Sequence, residues 1–345
     1  MTTNMQNRCT WMKDSAVFTN LPSSRTYKST NKFADYIELL AITSMDGYCT
    51  FSMLLDIMSE EDAFTTPNTQ EDQLEESLDY SPKVHSNNIS QHEFGRHLLK
   101  CIEYRNDHFS DYWPFTYDKN TRKVTADTDH QYFYLYNCML LSSLLEIIHQ
   151  NYRSLFTTFH ETLSYEAVKV LFPENAGWSV KYFGANQEYG EFYSGNLKVK
   201  FEALAKDLST CLNPKADFPS SGGDGGLDAI VFRKFLNDDR AMLPISTVQS
   251  ACTGKGLESK ARETSPYRIG SRILLDTTPT NYLITPRDIR SCVNNSKFQI
   301  DDNALSIIID RFRVLPLINI DIFTLPESLK NMINDFKGLN NNYTY

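Results

Sequence analysis

The sequence predicts an α/β protein in which a mainly helical first half precedes a domain built on a mixed β-sheet. Two observations lead to this prediction. Through most of residues 33–170, apolar residues recur at the spacing of amphipathic helices. From about Gly177 onward, short runs rich in β-branched residues alternate with turns and helical segments. Because such alternation favours a sheet covered by helices, we place a domain boundary near residue 170.

The first half divides into a lead-in, a helical domain and one acidic loop. Residues 1–32 are polar and rich in Ser, Thr and Asn, which predicts a loose lead-in. Residues 33–170 predict a mainly helical domain, because segments such as FADYIELLAITSM, QHEFGRHLLKCIEYRNDHF and LFTTFHETLSYEAVKVLF are amphipathic. HQYFYLYNCMLLSSLLEIIHQ is apolar nearly all round, which predicts a buried helix. Within this domain, residues 59–90 are acidic and weakly hydrophobic, which predicts a long loop.

Two shorter features lie inside the helical domain. The helices that flank Asp46-Gly47 fit either a helix-turn-helix or an ordinary helical hairpin, and the weak match to the first favours the second. The segment YDKNTRKVT predicts a short exposed β-hairpin.

Residues 171–345 predict the sheet domain together with C-terminal helices. The predicted strands are WSVKYFG, LDAIVFRKF, LPISTVQSA, RILLD and NYLI. The predicted helices are LKVKFEALAKDLSTCL, PRDIRSCV and NALSIIIDRFRVLPLI. In the first of these helices one face is apolar, and it comprises Leu197, Phe201, Leu204 and Leu208.

The bulk properties favour a cytoplasmic protein. No apolar run is long enough to span a bilayer, and the polar N-terminus lacks the apolar core of a secretory signal. The chain has 7 cysteines, an odd number, and none lies in a CxxC pair. This pattern argues against a disulfide framework and against a structural zinc site. We therefore expect a reducing cytoplasmic compartment and no membrane partner.

Charge is spread unevenly along the chain, whose net charge is −9. This balance is unlike that of proteins that coat nucleic acid by charge alone. Residues 60–79 contain many acids and no base, whereas bases outnumber acids in residues 255–272. The basic stretch fits either a phosphate-binding surface or a solvated face. Its basic residues are Lys255, Lys260, Arg262, Arg268 and Arg272.

Several catalytic classes lack their residues in the predicted sheet domain. All 7 histidines lie between His85 and His160, so this domain contains none. Histidine triads and HNH-type nuclease chemistry are thereby excluded there, unless the first half reaches over. The sequence has no GxxxxGK[ST] loop and no GxGxxG after a strand, which argues against nucleotide hydrolysis and dinucleotide binding.

The stretch from Gly222 to Lys260 carries the candidate chemistry. Asp228 begins the predicted strand LDAIVFRKF, and Asp224 lies in the glycine-rich turn before it. Gln249 lies on the next predicted strand, followed by the carbonyl of Ser250. Oxygen ligands of this kind suit Mg²⁺ or Mn²⁺, and such an ion activates water and neutralises charge on a phosphate.

Three more residues are candidates for the same site. Glu202 lies on the preceding predicted helix, and a solvated helix residue is an equal alternative for it. Lys255 and Lys260 follow the second strand, where either ammonium group would be able to orient a water molecule. The glycine-rich run taken alone is an ordinary turn, and its position before a β-branched strand is what favours a site.

These residues together resemble the PD-(D/E)XK, or restriction-endonuclease-like, superfamily, and GDGGLD followed by VQ resembles its Mrr-like branch. The resemblance covers roughly residues 175–275. It implies a restriction-endonuclease-like domain in which Asp228 binds the metal, Gln249 is the acceptor of the third motif and Glu202 is the helical glutamate. The family pattern places a lysine two residues after Gln249, where this chain has Ala251.

Two functions follow from the resemblance. The first is a Mg²⁺-dependent endonuclease that cleaves DNA, with RNA left open, as an effector of bacterial anti-phage defence. It would act as a homo-oligomer or with a partner protein such as an ATPase. The second is a degenerate nuclease fold that binds nucleic acid or serves as a scaffold subunit, which the missing lysine at Ala251 favours.

Overall fold

The computed structural model describes residues 30–61, 91–148, 150–183, 191–218, 226–235, 243–252, 257–263, 266–290 and 306–337. Most of the predicted lead-in and of the acidic loop lies outside these residues. The chain divides into two compact units. Unit 1 comprises Met1–Arg153, Asp288–Gln299 and Ile320–Tyr345, and unit 2 comprises Ser154–Arg287 and Ile300–Asn319.

The α/β fold class is confirmed, and the main division between the units falls at residue 153 rather than near 170. The reason is that most of the long helix before the sheet packs with the sheet. The C-terminal helix belongs to unit 1 instead of the sheet domain.

Unit 1 combines helices with a small antiparallel sheet. The strand order is β1-β3-β2, and β2 and β3 form the hairpin that YDKNTRKVT predicts. In chain order its elements are α1 (Thr30–Thr43), β1 (Tyr48–Thr50), α2 (Phe51–Glu61), α3 (Gln91–Phe109), β2 (Phe115–Asp118), β3 (Lys123–Ala126), α4 (Phe133–Ser143) and, from the end of the chain, α10 (Glu327–Phe336).

A buried charge cluster, which we call the Arg105 cluster, ties this unit together. The Arg105 guanidinium is fully buried and pairs with the carboxylates of Asp35 at 2.9 Å, Glu38 at 2.5 Å and Asp288 at 3.1 Å. Burial lowers the pKa of Arg105, but Glu38, Asp35 and further groups raise it more, so that its pKa lies well above the ordinary value.

Both oxygens of each carboxylate in the Arg105 cluster accept hydrogen bonds or pair with the guanidinium. Beyond Arg105, Glu38 accepts from the Trp113 indole at 2.7 Å and from the Tyr136 hydroxyl at 2.8 Å. The Ser143 hydroxyl donates to Asp35 at 2.9 Å, and the Arg290 backbone N–H donates to Asp288 at 3.1 Å. Because every carboxylate oxygen has a partner, these contacts offset the cost of removing the charges from water.

Unit 2 is built on a five-stranded mixed sheet in the order β4-β5-β6-β7-β8. Strands β4, β5 and β6 pair antiparallel in sequence, and β6, β7 and β8 pair parallel. In chain order its elements are α5 (Gln150–Leu171, whose first residues belong to unit 1), β4 (Trp178–Tyr182), α6 (Leu197–Asp207), β5 (Ala229–Arg233), β6 (Ile245–Ser250), α7 (Leu257–Glu263), α8 (Pro266–Gly270), β7 (Thr280–Ile284), β8 (Ile307–Ile309) and α9 (Arg311–Val314).

Helices α5 and α6 cover opposite faces of the sheet. Leu197, Phe201 and Leu204 of α6 share one hydrophobic core with Ile230 and Phe232 of β5. Side chains alternate between the two faces along a strand, so these β5 residues and Asp228 point towards α6. On the other face, the Tyr165 hydroxyl of α5 donates to the Val180 carbonyl of β4 at 3.3 Å.

Three segments have a secondary structure other than the one that the sequence predicts. RILLD contains a single bridge, from Ile273 to Leu212, instead of a strand. The described part of PRDIRSCV is not helical. The predicted final helix begins as strand β8, Ile307–Ile309, because three consecutive β-branched residues pair with β7 before Asp310 caps the short helix α9. Among the residues that the structure describes, no helix is both long enough and apolar enough to cross a membrane.

Candidate functional site

Asp228 lies at the entry to the central strand β5 and is 7 % exposed. Its carboxylate accepts a hydrogen bond from the Ser250 backbone N–H at 2.6 Å. Its own backbone N–H donates to the Val248 carbonyl at 3.0 Å, and its carbonyl accepts from the Phe183 N–H at 2.7 Å. Neighbouring strands on both sides therefore hold Asp228 in place.

Gln249 lies directly across from Asp228. Strand register pairs Ala229 with Val248, so the next pair along is Asp228 and Gln249, on the same face of the sheet. Gln249 is 5 % exposed, and its Oε1 accepts no hydrogen bond from any described residue. Because a buried acceptor without a donor is costly, this amide oxygen is available for a ligand.

Ser250 links this strand end to helix α5. Its hydroxyl lies 3.0 Å from the Ser164 hydroxyl, which also donates to the His160 carbonyl at 2.7 Å. The Ser250 carbonyl lies 3.5 Å from the Gln249 amide nitrogen. The two predicted oxygen sources, Gln249 and Ser250, are thus adjacent to the Asp228 carboxylate.

Glu161 of helix α5 lies one helical turn before Ser164, which contacts Ser250. Its Oε2 accepts a hydrogen bond from the Tyr182 hydroxyl of β4 at 3.0 Å. The neighbouring Cys252 is partly buried, and desolvation of its thiol raises its pKa, which the negative charges of Glu161 and Asp228 raise further. One thiol therefore lies within the electrostatic reach of both carboxylates. We call Glu161, Asp228, Gln249, Ser250 and Cys252 the strand-end site.

His160 belongs to unit 2, which corrects the expectation that the sheet domain contains no histidine. The expectation failed because it placed the boundary after α5. The ring is fully buried and its Nε2 lies 3.3 Å from the Ile284 carbonyl, to which it donates. Burial lowers its pKa to about 4, so the imidazole is neutral at neutral pH. Its Nδ1 accepts no hydrogen bond from the described residues.

Lys200 is a buried lysine on the apolar face of α6. It lies one helical turn after Leu197 and before Leu204, and it is 6 % exposed. Its Nζ donates to the Phe183 carbonyl at 2.6 Å and lies 5.5 Å from the centroid of the Phe183 ring. Phe183 is opposite Asp228, so the ammonium group reaches the same end of the sheet.

The other predicted residues are placed as follows. Glu202 is exposed, and its described contact is a 3.9 Å ion pair with Lys198 on the same helix. This position matches the solvated alternative of the sequence analysis. Lys260 lies on α7, the crossover helix between β6 and β7, and is partly exposed. Asp224 and Lys255 lie outside the described residues.

The strand-end site fits a hard cation by its chemistry. Asp228 supplies a carboxylate oxygen, Gln249 supplies a buried amide oxygen that accepts no hydrogen bond from the described residues, and Glu161 is a further candidate ligand from helix α5. Within the described ranges, no group of three His, Cys, Asp or Glu side chains is arranged to hold a metal. An ion at this site would therefore depend on Gln249, the Ser250 carbonyl and water for its remaining ligands, as Mg²⁺ commonly does.

Sequence reasoning missed Glu161, His160 and Lys200. Glu161 and His160 lie in a segment whose helical pattern was recognised but which was assigned to the first domain. The available signal for Lys200 was its spacing, because a lysine three residues after Leu197 and four before Leu204 lies on the apolar face.

Comparison of the chain with protein-family models, with curated proteins and with solved structures finds no match.

Proposed function

We propose that this protein is a metal-dependent nuclease that cleaves DNA phosphodiester bonds at the strand-end site. The observation that carries the proposal is the juxtaposition of Asp228 and Gln249 on neighbouring central strands. The amide oxygen of Gln249 is buried and accepts no hydrogen bond from the described residues. A ligand that pairs with this oxygen would offset the cost of burying it beside a carboxylate.

The order of the elements supports the same proposal. A helix with Glu161 precedes strand β5 with Asp228, which in turn precedes strand β6 with Gln249. This is the order that the resemblance to the PD-(D/E)XK superfamily implies. We therefore assign the role of the helical glutamate to Glu161 in place of Glu202, whose side chain is exposed on α6.

Each residue has a defined task in this proposal. Asp228, held by the Ser250 N–H, and Glu161, held by the Tyr182 hydroxyl, would supply carboxylate oxygens to a bound ion. Gln249 adds a neutral oxygen, which limits the negative charge that faces the phosphate. A bound Mg²⁺ or Mn²⁺ supplies Lewis acidity towards the phosphate and lowers the pKa of its water.

Helix α7 supports nucleic acid as the substrate. It follows β6 within the same unit, and it carries Lys260 and the exposed Arg262. Arg268, on α8, is also exposed. Basic side chains that follow a catalytic strand suit a phosphate backbone. The oligomer, an ATPase partner and the anti-phage setting stay predictions of the sequence resemblance.

The second candidate is a degenerate nuclease fold that binds nucleic acid without cutting it. The observation in its favour is Ala251, which occupies the lysine position of the family pattern and is 5 % exposed. A buried methyl group there cannot orient water or stabilise charge.

Cleavage assays separate the two candidates. Plasmid and linear DNA are incubated with the full chain and Mg²⁺, Mn²⁺ or EDTA. The wild-type protein is compared with Asp228→Ala and Glu161→Gln, and the exposed Asp276→Ala is the matched control. We expect metal-dependent cutting that Asp276→Ala retains and that both site variants reduce by about 100-fold or more. Cutting that survives Asp228→Ala would refute the site, and DNA binding without cutting in any metal favours the scaffold.

A further inference from the structure

Ala251, which stands where the family pattern has a lysine, shares its sheet face with helix α6, and that helix carries the buried Lys200. Ala251 continues the parallel ladder beyond β6, because its N–H donates to the Ile284 carbonyl at 2.9 Å. The two-residue repeat of a strand then places Ala251 on the same face as Gln249, which is the face that α6 covers. The buried ammonium group of Lys200 comes from that helix.

The Lys200 ammonium group takes part in the backbone hydrogen bonding between Phe183 and Asp228. An antiparallel pair of this type exchanges two hydrogen bonds. Between Phe183 and Asp228 one is present, from the Phe183 N–H to the Asp228 carbonyl at 2.7 Å. The Asp228 N–H turns instead to Val248, and the Phe183 carbonyl accepts from Lys200 at 2.6 Å. The ammonium group thus replaces a ladder hydrogen bond at the level of Asp228.

Lys200 donates to the Phe183 carbonyl, a bond that an apolar residue would not make, but its charge has a desolvation cost that this one bond does not explain. Leucine or methionine would fill the same position on the apolar face of α6 without desolvation of a charge. Lys200 thus brings a buried positive charge to the level of Asp228 in the sheet.

We propose that Lys200 is the catalytic lysine of the strand-end site, supplied from α6 in place of the residue at 251. In this role its ammonium group contacts the phosphate and stabilises the charge that develops as water attacks. The inference rests on the proposed nuclease function, and it removes the main argument for the degenerate alternative. It also assigns a role that the sequence analysis gave to Lys255 or Lys260.

The test compares Lys200→Met with Lys198→Met, since both lysines lie on α6 but Lys198 is exposed. Methionine suits the apolar face, and thermal unfolding checks that both variants fold. Single-turnover cleavage of plasmid DNA with saturating Mg²⁺ gives the rate, and titration with Mn²⁺ gives metal affinity. We expect Lys200→Met to cleave about 100- to 1,000-fold more slowly than Lys198→Met. Its Mn²⁺ affinity should be unchanged or higher, because a nearby positive charge has been removed.

A double variant tests whether a lysine at position 251 can replace Lys200 on the same face of the sheet. Lys200→Met combined with Ala251→Lys restores the family arrangement, and recovery of cleavage supports the proposal. Cleavage by Lys200→Met as fast as by Lys198→Met overturns it while the nuclease function stands. A parallel loss of Mn²⁺ binding also overturns it, because Lys200 would then be structural. Absence of wild-type cleavage in every metal overturns the nuclease function and the role of Lys200 with it.

Discussion

The Arg105 cluster of unit 1 and the strand-end site of unit 2 both bury charged side chains, but their polar atoms are satisfied to different degrees. In the Arg105 cluster, both oxygens of Asp35, Glu38 and Asp288 have partners. In the strand-end site, Gln249 Oε1 is buried and accepts no hydrogen bond from the described residues.

The difference suggests how polar groups that stabilise the fold can be separated from polar groups that serve a ligand. In a network where every polar atom has a partner, the hydrogen bonds strengthen one another and hold the helices and strands in place. An unsatisfied acceptor beside a carboxylate reduces stability unless a ligand supplies its partner. Four predictions test this distinction, and they are ordered from the largest expected effect to the smallest.

Arg105→Met should have the largest effect on stability. It leaves three carboxylates buried around an apolar side chain, and we expect the free energy of unfolding to fall by about 3–5 kcal/mol. Urea denaturation measures it. Lys119→Met, which removes an exposed 3.5 Å pair with Asp107, is the control and should change little. A loss with Arg105→Met as small as the control would show that the cluster does not stabilise unit 1.

His160 should make unit 2 sensitive to acid. Its pKa is about 4 in the folded chain, against an ordinary value of 6.5. Between these values the unfolded chain binds a proton that the folded chain does not. The free energy of unfolding should therefore fall as the pH decreases from 6.5 to about 4, by about 3 kcal/mol in total. Urea denaturation at a series of pH values measures this slope.

His160→Gln separates this contribution from that of other groups. Glutamine can still donate to the Ile284 carbonyl but does not titrate, so the variant should lose that part of the pH dependence. His108→Gln, which changes an exposed histidine of unit 1, is the control. An unchanged slope in His160→Gln would contradict the buried neutral imidazole.

Gln249→Leu should increase stability while it abolishes function. Removal of a buried acceptor without a donor should raise the free energy of unfolding without metal by about 1 kcal/mol. The matched control is Thr247→Val on the same strand and face, where the Thr247 hydroxyl donates to Asn281 at 2.6 Å. That variant should be destabilised. If Gln249→Leu loses as much stability as Thr247→Val, the amide has a structural role instead.

Glu202→Gln should have the smallest effect. Its pair with Lys198 is exposed and 3.9 Å long, so the change in stability should stay below about 0.5 kcal/mol. Cleavage should equal that of the wild type, in contrast to Glu161→Gln. A large loss of cleavage in Glu202→Gln would restore the original assignment of the helical glutamate.

Much of the fold was predictable from local pattern. Strands β4 to β7 and helices α5 and α6 follow directly from apolar periodicity and from turns. Strand β8 was wrongly predicted as helix, because a short apolar run fits either structure until its pairing partner is known.

The sequence by itself determined that Asp228 and Gln249 begin and end neighbouring strands, because alternation and turn chemistry act between residues close along the chain. Only the tertiary structure decided which helical side chains join them. Ser164 contacts Ser250, 86 positions away, and so brings Glu161 and His160 to the strand ends. Likewise, helix α6 turns Lys200 inward and Glu202 outward. Such choices depend on the rotation of a packed helix, which contacts between distant residues set.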